Sequence, residues 1–131
     1  MKVIIAGSRS ITNPKYIQEA ISAAYAQMNI EITEVVSGTA LGVDRIGEEW
    51  AKRHYIPIKP FPAKWNIKVG DKVIKDKTAG FKRNFQMAQY GDALIAVWDG
   101  SSNGTANMIN TMKDLGKPVF VYKVKNENPN Q

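Results

Sequence analysis

The chain has 131 residues, of which 44% are hydrophobic and 23% are charged, and its formal net charge is +6. This composition is typical of one globular domain, and the positive charge favours anionic partners such as nucleotides, phosphosugars or nucleic acid. Without cysteine, and with His54 as the one histidine, the chain lacks the residues of a disulfide framework or a zinc site, so we expect no metal ion and no cofactor. The first residues predict a strand rather than a signal peptide, and no apolar run approaches the roughly 20 residues of a membrane span. We therefore expect a cytoplasmic protein without membrane contact.

Short apolar runs alternate with helical periodicities along the chain. The apolar runs predict strands at residues 2–6, 34–37, 56–60, 92–98 and 118–122. Apolar residues at helical spacing, with capping residues at the ends, predict helices at 13–28, 43–54, 78–90 and 103–115. The third helix, with Thr78 as its cap, carries Phe81, Phe85 and Ala88, whereas the residues before it, 61–77, show no regular pattern.

This alternation of strands and helices predicts the fold class. It is typical of α/β proteins, and we expect a three-layer Rossmann-like sandwich with a mainly parallel sheet of about five strands. Residues 1–123 are predicted to form a single domain, and residues 124–131 to form a polar tail. Because ligands of such sheets bind outside the carboxyl ends of the strands, the loops at those ends are the candidate site.

Three loops of small and polar residues follow predicted strands, at 7–10, 37–42 and 99–105. A helix N-terminus offers unpaired N–H groups and the positive end of a dipole, which suits a phosphate. Glycine lets the backbone approach an anion closely, and hydroxyl groups add donors. The three loops together predict a phosphate-bearing ligand, although none matches the P-loop or the dinucleotide-binding pattern. The alternative is that the glycines only shape turns.

Five motifs, in order along nearly the whole chain, carry a resemblance to a known family. They are MKVIIAGSR, VVSGTALGVDRIGEEWA, FPAKW, AGFKRNFQMA and ALIAVWDGSSNGTANMI. They resemble the SLOG superfamily, which groups the DNA-processing protein A and LONELY GUY proteins, and above all its small YspA-like, YpsA-related branch from bacteria and phages. The resemblance implies a Rossmann-like fold that binds nucleotides or nucleotide-derived ligands. Since members often self-associate, it also implies a homo-oligomer.

The resemblance also implies which residues contact the ligand. Arg9, in the GSR motif, has a guanidinium group that suits phosphate oxygens, and Arg83, in the RN motif, either clamps a phosphate or forms a surface ion pair. Asp44 either caps the first turn of its helix or holds a ribose hydroxyl. The candidate ligand-binding residues are Gly7, Ser8, Arg9, Ser37, Gly38, Thr39, Gly42, Asp44, Arg83, Asn84, Asp99, Gly100, Ser101, Gly104 and Thr105.

The third loop resembles the hydrolase signature PGG-x-GT-x-x-E of the LONELY GUY proteins. Gly104-Thr105 keeps the GT pair, but Met108 stands at the position of the glutamate, and methionine cannot transfer a proton. No catalytic residue is therefore assigned. We expect a protein that binds a nucleotide or a nucleotide-derived molecule (ADP-ribose-like, NAD-derived or a cyclic nucleotide) as a sensor or to sequester a signal.

Two other functions stay open. One is hydrolysis of an N-glycosidic or phosphate bond of a nucleotide, with Asp99 or Asp44 as acid or base. The other is binding of single-stranded nucleic acid by the basic segment 64–83, where seven lysine and arginine residues stand against two acids. The nucleic-acid hypothesis ranks last because few aromatic residues accompany the lysines. A solvated surface loop explains that segment equally well.

Overall fold

The apolar runs of the sequence form a five-stranded parallel sheet in the computed structural model, which describes residues 1–125. The strands of the chain are β1 (Lys2–Gly7), β2 (Glu34–Ser37), β3 (Ile58–Pro60), β4 (Asn66–Val69), β5 (Lys72–Lys75), β6 (Ala93–Trp98) and β7 (Val119–Lys123). The sheet has the order β3-β2-β1-β6-β7, and all its neighbouring strands are parallel. β1 and β6 lie at its centre because their side chains are apolar on both faces. The predicted parallel sheet is confirmed.

Four helices cover the two faces of the sheet. They are α1 (Pro14–Met28), α2 (Val43–Arg53), α3 (Ala79–Tyr90) and α4 (Asn103–Asp114). Because side chains alternate along a strand, Ile5 of β1 packs with residues of α1 and α2, whereas Ile4 packs with Met87 of α3 and Met108 of α4. The result is the predicted three-layer sandwich, with one hydrophobic core on each side of the sheet.

The chain order of the strands fixes where a ligand site can lie. From β1 the chain moves outward to β2 and β3, and then returns to the other side of β1 as β6 and β7. The direction of winding therefore reverses between β1 and β6. A crevice opens outside the carboxyl ends of the strands at such a reversal. The loops that follow Gly7 and Trp98 form the walls of this crevice.

The segment 61–77, for which the sequence showed no pattern, contains a β-hairpin. β4 and β5 pair antiparallel in a two-stranded sheet of their own, with Val69 opposite Lys72. A two-residue turn joins them, and Gly70 supplies the positive φ of 61° that such turns need. The hairpin was missed because all eight of its strand residues are exposed, so the alternation of a half-buried strand is absent.

Two details of the helices also differ from the prediction. The apolar residues used to predict α3 do not share a buried face, since Ala88 is buried but Phe81 and Phe85 are 52% and 48% exposed. Thr78 stands at the N-cap of α3, but its side chain makes no capping bond to the helix. Instead, its N–H and its hydroxyl both donate to Asp76 Oδ1, at 2.9 and 2.7 Å.

The last residues that the structure describes include the start of the predicted tail. Val124, which we assigned to the tail, is buried, and its N–H donates to the Trp98 carbonyl at 2.8 Å. The rest of the predicted tail, from residue 126, lies outside the described residues. No helix within residues 1–125 is long and apolar enough to cross a membrane. The same residues contain no group of three or more metal-binding side chains.

Candidate functional site

A pocket of about 470 Å³ opens at the carboxyl edge of the sheet, at the crevice between β1 and β6. Its walls come from the loop after β1, the start of α2, one side of α3, and the loop that leads into α4. Nine of the fifteen candidate residues line it. They are Gly7, Ser8, Arg9, Asp44, Arg83, Asn84, Asp99, Gly104 and Thr105.

Most of the second loop lies behind the wall of the pocket. The Ser37 hydroxyl donates to Glu48 Oε2 at 2.6 Å and accepts the Thr39 N–H at 3.1 Å. Gly42 has a φ of 78°, and a Cβ atom there would lie 2.6 Å from the Ser8 carbonyl oxygen. These residues shape the loop and hold it against the first loop. The candidate residues that do not line the pocket are Ser37, Gly38, Thr39, Gly42, Gly100 and Ser101.

Asp44, in the first turn of α2, is a buried carboxyl group in the pocket wall. It is 5% exposed, and its Oδ2 accepts the Ala40 N–H at 3.1 Å. Burial raises the pKa of Asp44 to about 6, although the Ala40 hydrogen bond and the positive charge of Arg83 both act to lower that pKa. Asp44 therefore ends the second loop and also presents a titratable group to the pocket.

Two arginines converge on the same pocket. Arg83 Nη1 donates to the Gly38 carbonyl at 2.5 Å, and Arg83 Nε donates to Asn84 Oδ1 at 3.0 Å. Burial lowers the pKa of Arg83, and the positive charge of Arg9 lowers it further, whereas the charge of Asp44 raises it. Arg9 is exposed and lines the opening. Two guanidinium groups that repel each other at one pocket are chemically suited to an anion of more than one charge.

Asn84 connects the arginine to the third loop. Its side chain is 5% exposed, and its Nδ2 donates to the Gly104 carbonyl at 3.2 Å and to Asn107 Oδ1 at 3.0 Å. Since its Oδ1 also accepts from Arg83, the amide links α3 to the first turn of α4. Asn84 thus fixes the guanidinium group relative to the helix N-terminus.

The N-terminus of α4 faces the pocket. Ser102 is its N-cap but makes no side-chain capping bond, and no atom lies within 4 Å of the position where a Cβ of Gly104 would stand. The first N–H groups of a helix have no partner within the helix, so they remain available to a ligand. This end of α4 therefore combines free donors, the positive end of a dipole and open space.

Asp99 has a structural role in the third loop. Its Oδ1 accepts the N–H groups of Ser101 at 2.8 Å and Ser102 at 2.9 Å, and these bonds lower the pKa of Asp99. Its own N–H donates to Ser8 Oγ at 3.1 Å, which ties the third loop to the first. A carboxylate held ionised in this way is not a proton donor at neutral pH.

The sequence did not identify the outer wall of the pocket. Lys77, Gly80 and Phe81 line it, together with Trp65. The Trp65 ring covers Gly80, where a Cβ atom would lie 3.1 Å from Trp65 Cη2. Trp65 and Lys77 flank the hairpin that the sequence failed to predict. The one sequence feature that could have indicated this wall is Gly80, a glycine in the first turn of α3, which leaves space for the Trp65 ring.

Comparison with known proteins gives a family and a similar solved structure. The model of the YspA, cpYpsA-related SLOG family matches residues 1–67, which contain the first two loops. No curated protein matches the chain. The chain is similar to DNA processing protein A from Helicobacter pylori, whose structure was reported for its single-stranded DNA binding mode. The alignment has a TM-score of 0.64 and 22% identity, and it covers 98% of this chain and 67% of that one, so it supports the fold alone.

Proposed function

The chain belongs to the YspA, cpYpsA-related SLOG family, and from this premise we propose that its pocket binds a nucleotide or a nucleotide-derived molecule. The observation that carries the proposal is the convergence of Arg9 and Arg83 on a pocket that also receives the free N-terminus of α4. Guanidinium groups and helix N–H groups donate hydrogen bonds, which phosphate oxygens accept. Gly104 leaves room for the phosphate to approach the backbone of α4.

The rest of the pocket supports a nucleoside attached to that phosphate. A volume of about 470 Å³ lies within the range of small-molecule sites. Trp65 and Phe81 supply aromatic surface on the outer wall, where a base can stack. The Asp44 carboxylate is an acceptor for a ribose hydroxyl. ADP-ribose-like, NAD-derived and cyclic nucleotides all combine these features.

The lining residues support binding rather than cleavage. Met108 lines the pocket at the position where the hydrolase signature has its glutamate, and it cannot transfer a proton. Asp99 is held ionised by two amides. Asp44 is the one lining carboxyl group with a raised pKa, so it would be the acid of any cleavage reaction. We propose a sensor or a signal-sequestering protein, and intact ligand after prolonged incubation is the expected result.

Ligand capture from a nucleotide extract tests the proposal. The purified protein is incubated with the extract and washed, and the released molecules are identified by mass spectrometry. Gly104→Leu serves as the matched variant, because a Cβ atom at this lining position meets no neighbouring group within 4 Å and a larger side chain would occupy the pocket. We expect a nucleotide-derived mass from the wild-type protein and none from Gly104→Leu. Equal release from both proteins would contradict a role for this pocket.

A second candidate function is binding of single-stranded nucleic acid. The structural neighbour binds single-stranded DNA. Within the fold, the exposed Phe81 and Phe85 lie on the helix that follows the lysine-rich hairpin. Exposed aromatic residues therefore do accompany the lysines, which weakens the argument from sequence against this function.

A further inference from the structure

The hairpin of β4 and β5 is exposed on both faces. In an antiparallel ladder, paired residues share a face, so Ile67–Ile74 and Val69–Lys72 lie on one face. The pairs Asn66–Lys75 and Lys68–Val73 lie on the other. The four apolar side chains are between 41% and 69% exposed. Because a two-stranded hairpin is only marginally stable alone in water, such a surface is suited to a partner.

Aromatic side chains continue this surface onto α3. Trp65, at the base of the hairpin, accepts the Asp76 N–H on its carbonyl at 2.5 Å and places its ring over Gly80. Phe81 and Phe85 are four residues apart, so they stand on one face of α3, about 6 Å apart along its axis. They and Trp65 are 52%, 48% and 37% exposed. The three rings therefore form an exposed row that begins at the hairpin.

The positive charge around this row of rings indicates which kind of partner the surface can bind. Lys68, Lys72 and Lys75 pair with no carboxylate of residues 1–125, whereas Asp76 is engaged by Lys82 at 2.8 Å. The segment 64–83 carries seven basic residues against two acids, which is +5 of the chain's net charge of +6. Such a surface repels a second copy of itself and attracts a polyanion.

We propose that this basic aromatic surface, made of the three rings and of Lys68 and Lys75, which share one face of the hairpin, binds single-stranded nucleic acid. Unpaired bases stack on exposed aromatic rings, and lysines contact the phosphates between them, which is how strands are held without sequence preference. The inference rests on the second candidate function, and it places that function on a surface that shares Trp65 and Phe81 with the nucleotide pocket and extends beyond it. Lys68, Lys72, Lys75 and Phe85 do not line the pocket.

Fluorescence anisotropy with a labelled 15-residue oligothymidylate tests the charge of the surface. The double substitution Lys68→Glu and Lys75→Glu should weaken binding at least about tenfold and lower the slope of log K against log salt by about 1.4, or 0.7 for each lost phosphate contact. Lys52→Glu with Arg53→Glu, on α2 in the opposite layer, makes the same charge change and is the control. Equal loss in both variants would overturn the proposal, because net charge alone would then explain the binding.

A second pair of variants tests stacking. Phe85→Ala should weaken oligothymidylate binding about five- to 140-fold, the range of one stacked base. Tyr25→Ala, which removes a 38% exposed ring from α1, should leave binding unchanged. Melting temperatures of all four variants confirm that each is folded. Unchanged binding in Phe85→Ala would overturn the proposed row.

The remaining outcomes identify the competing explanations. Binding to phosphatidylserine vesicles without binding to oligothymidylate would replace the proposal by a membrane role. A dimer in sedimentation that Phe85→Ala dissociates, without oligothymidylate binding, would replace it by self-association. Gly104→Leu separates the two sites, because it should abolish binding in the pocket and leave oligothymidylate binding intact. If oligothymidylate instead occupied the pocket, Gly104→Leu would abolish both nucleotide binding and oligothymidylate binding, and the proposal of a separate surface would be wrong.

Discussion

Asp44 and Arg83 meet across the backbone of Gly38. A Cβ atom at Gly38 would lie 2.8 Å from Asp44 Oδ2 and 2.8 Å from Arg83 Nη1. The arginine also donates to the Gly38 carbonyl at 2.5 Å. The second loop thus brings a buried carboxyl group and a partly buried guanidinium group together in one wall of the pocket, and only glycine leaves space for both.

Substitution of Gly38 tests this contact. In Gly38→Ala the new methyl group must displace Asp44 or Arg83, so we expect a loss of about 1–3 kcal/mol in the free energy of unfolding and weaker ligand binding. Gly104→Ala is the matched control, because its methyl group enters open space at the start of a helix. Urea denaturation of both variants measures the effect. A Gly38→Ala protein as stable as the Gly104→Ala protein would contradict the packing described.

The buried carboxyl group predicts a pH dependence. Burial raises the pKa of Asp44 from an ordinary value of 3.8 to about 6. The folded protein therefore binds this proton more tightly than the unfolded chain, so the stabilising contribution is complete below pH 4 and is lost as the pH rises through 6. The shift corresponds to about 3 kcal/mol.

Asp44→Asn isolates this contribution from those of Asp76 and Asp99, whose pKa values are lowered by hydrogen bonds and which therefore affect stability in the opposite sense. Asparagine can still accept from Ala40 but carries no charge. We expect Asp44→Asn to gain stability relative to the wild-type protein between pH 4 and pH 7, by up to about 3 kcal/mol. Urea unfolding at four pH values measures the difference. A constant difference over this range would show that Asp44 does not titrate there.

Arg9 is expected to matter for binding but not for folding. Its side chain is exposed at the mouth of the pocket, and its charge adds to that of Arg83. Arg9→Met should change the free energy of unfolding by less than about 0.5 kcal/mol and weaken binding of a phosphate-bearing ligand about tenfold or more. Arg53→Met, on the exposed surface of α2, is the control and should alter neither quantity. Isothermal titration calorimetry of Arg9→Met and Arg53→Met measures the change in affinity.

Asn84 is expected to matter for both folding and binding. Asn84→Ala leaves the Gly104 carbonyl and Arg83 Nε without their buried partner, and such losses cost about 1–3 kcal/mol. The freed guanidinium group should also bind ligand less tightly, since its position is no longer fixed. Chemical denaturation and titration of one variant test both statements. A stable variant with unchanged affinity would remove Asn84 from the site.

The parts of the fold that sequence predicts are those with a strong apolar pattern. β1 and β6 are continuous apolar runs because both of their faces are buried, and α2 shows a clear helical period. The hairpin has no buried face, so no pattern marks it. Phe81 and Phe85 fit a helical period but face outward, because Met87 and Ala88 on α3 already fill the space against the sheet.

The sequence indicates which loops contribute to the candidate site, but not which of their residues line the pocket and which only shape the loop. Ser37, Thr39 and Gly42 have the residue types of a phosphate loop, yet the same types are needed to make a tight turn and a close approach between backbones. Sequence alone cannot separate these two uses. Nor does it reveal that Arg83 contacts Gly38, since that contact depends on how α3 packs beside the second loop.

The most direct test of the nucleotide pocket is thermal unfolding of the purified protein with AMP, ADP-ribose, NAD, and linear and cyclic nucleotides. A ligand that binds only the folded state, at about 100 times its dissociation constant, stabilises the protein by roughly 2.7 kcal/mol. We predict a selective rise in melting temperature with a member of this panel, and no rise with the same compound in Gly104→Leu. No rise with any of them, or an equal rise in both proteins, would contradict the nucleotide pocket.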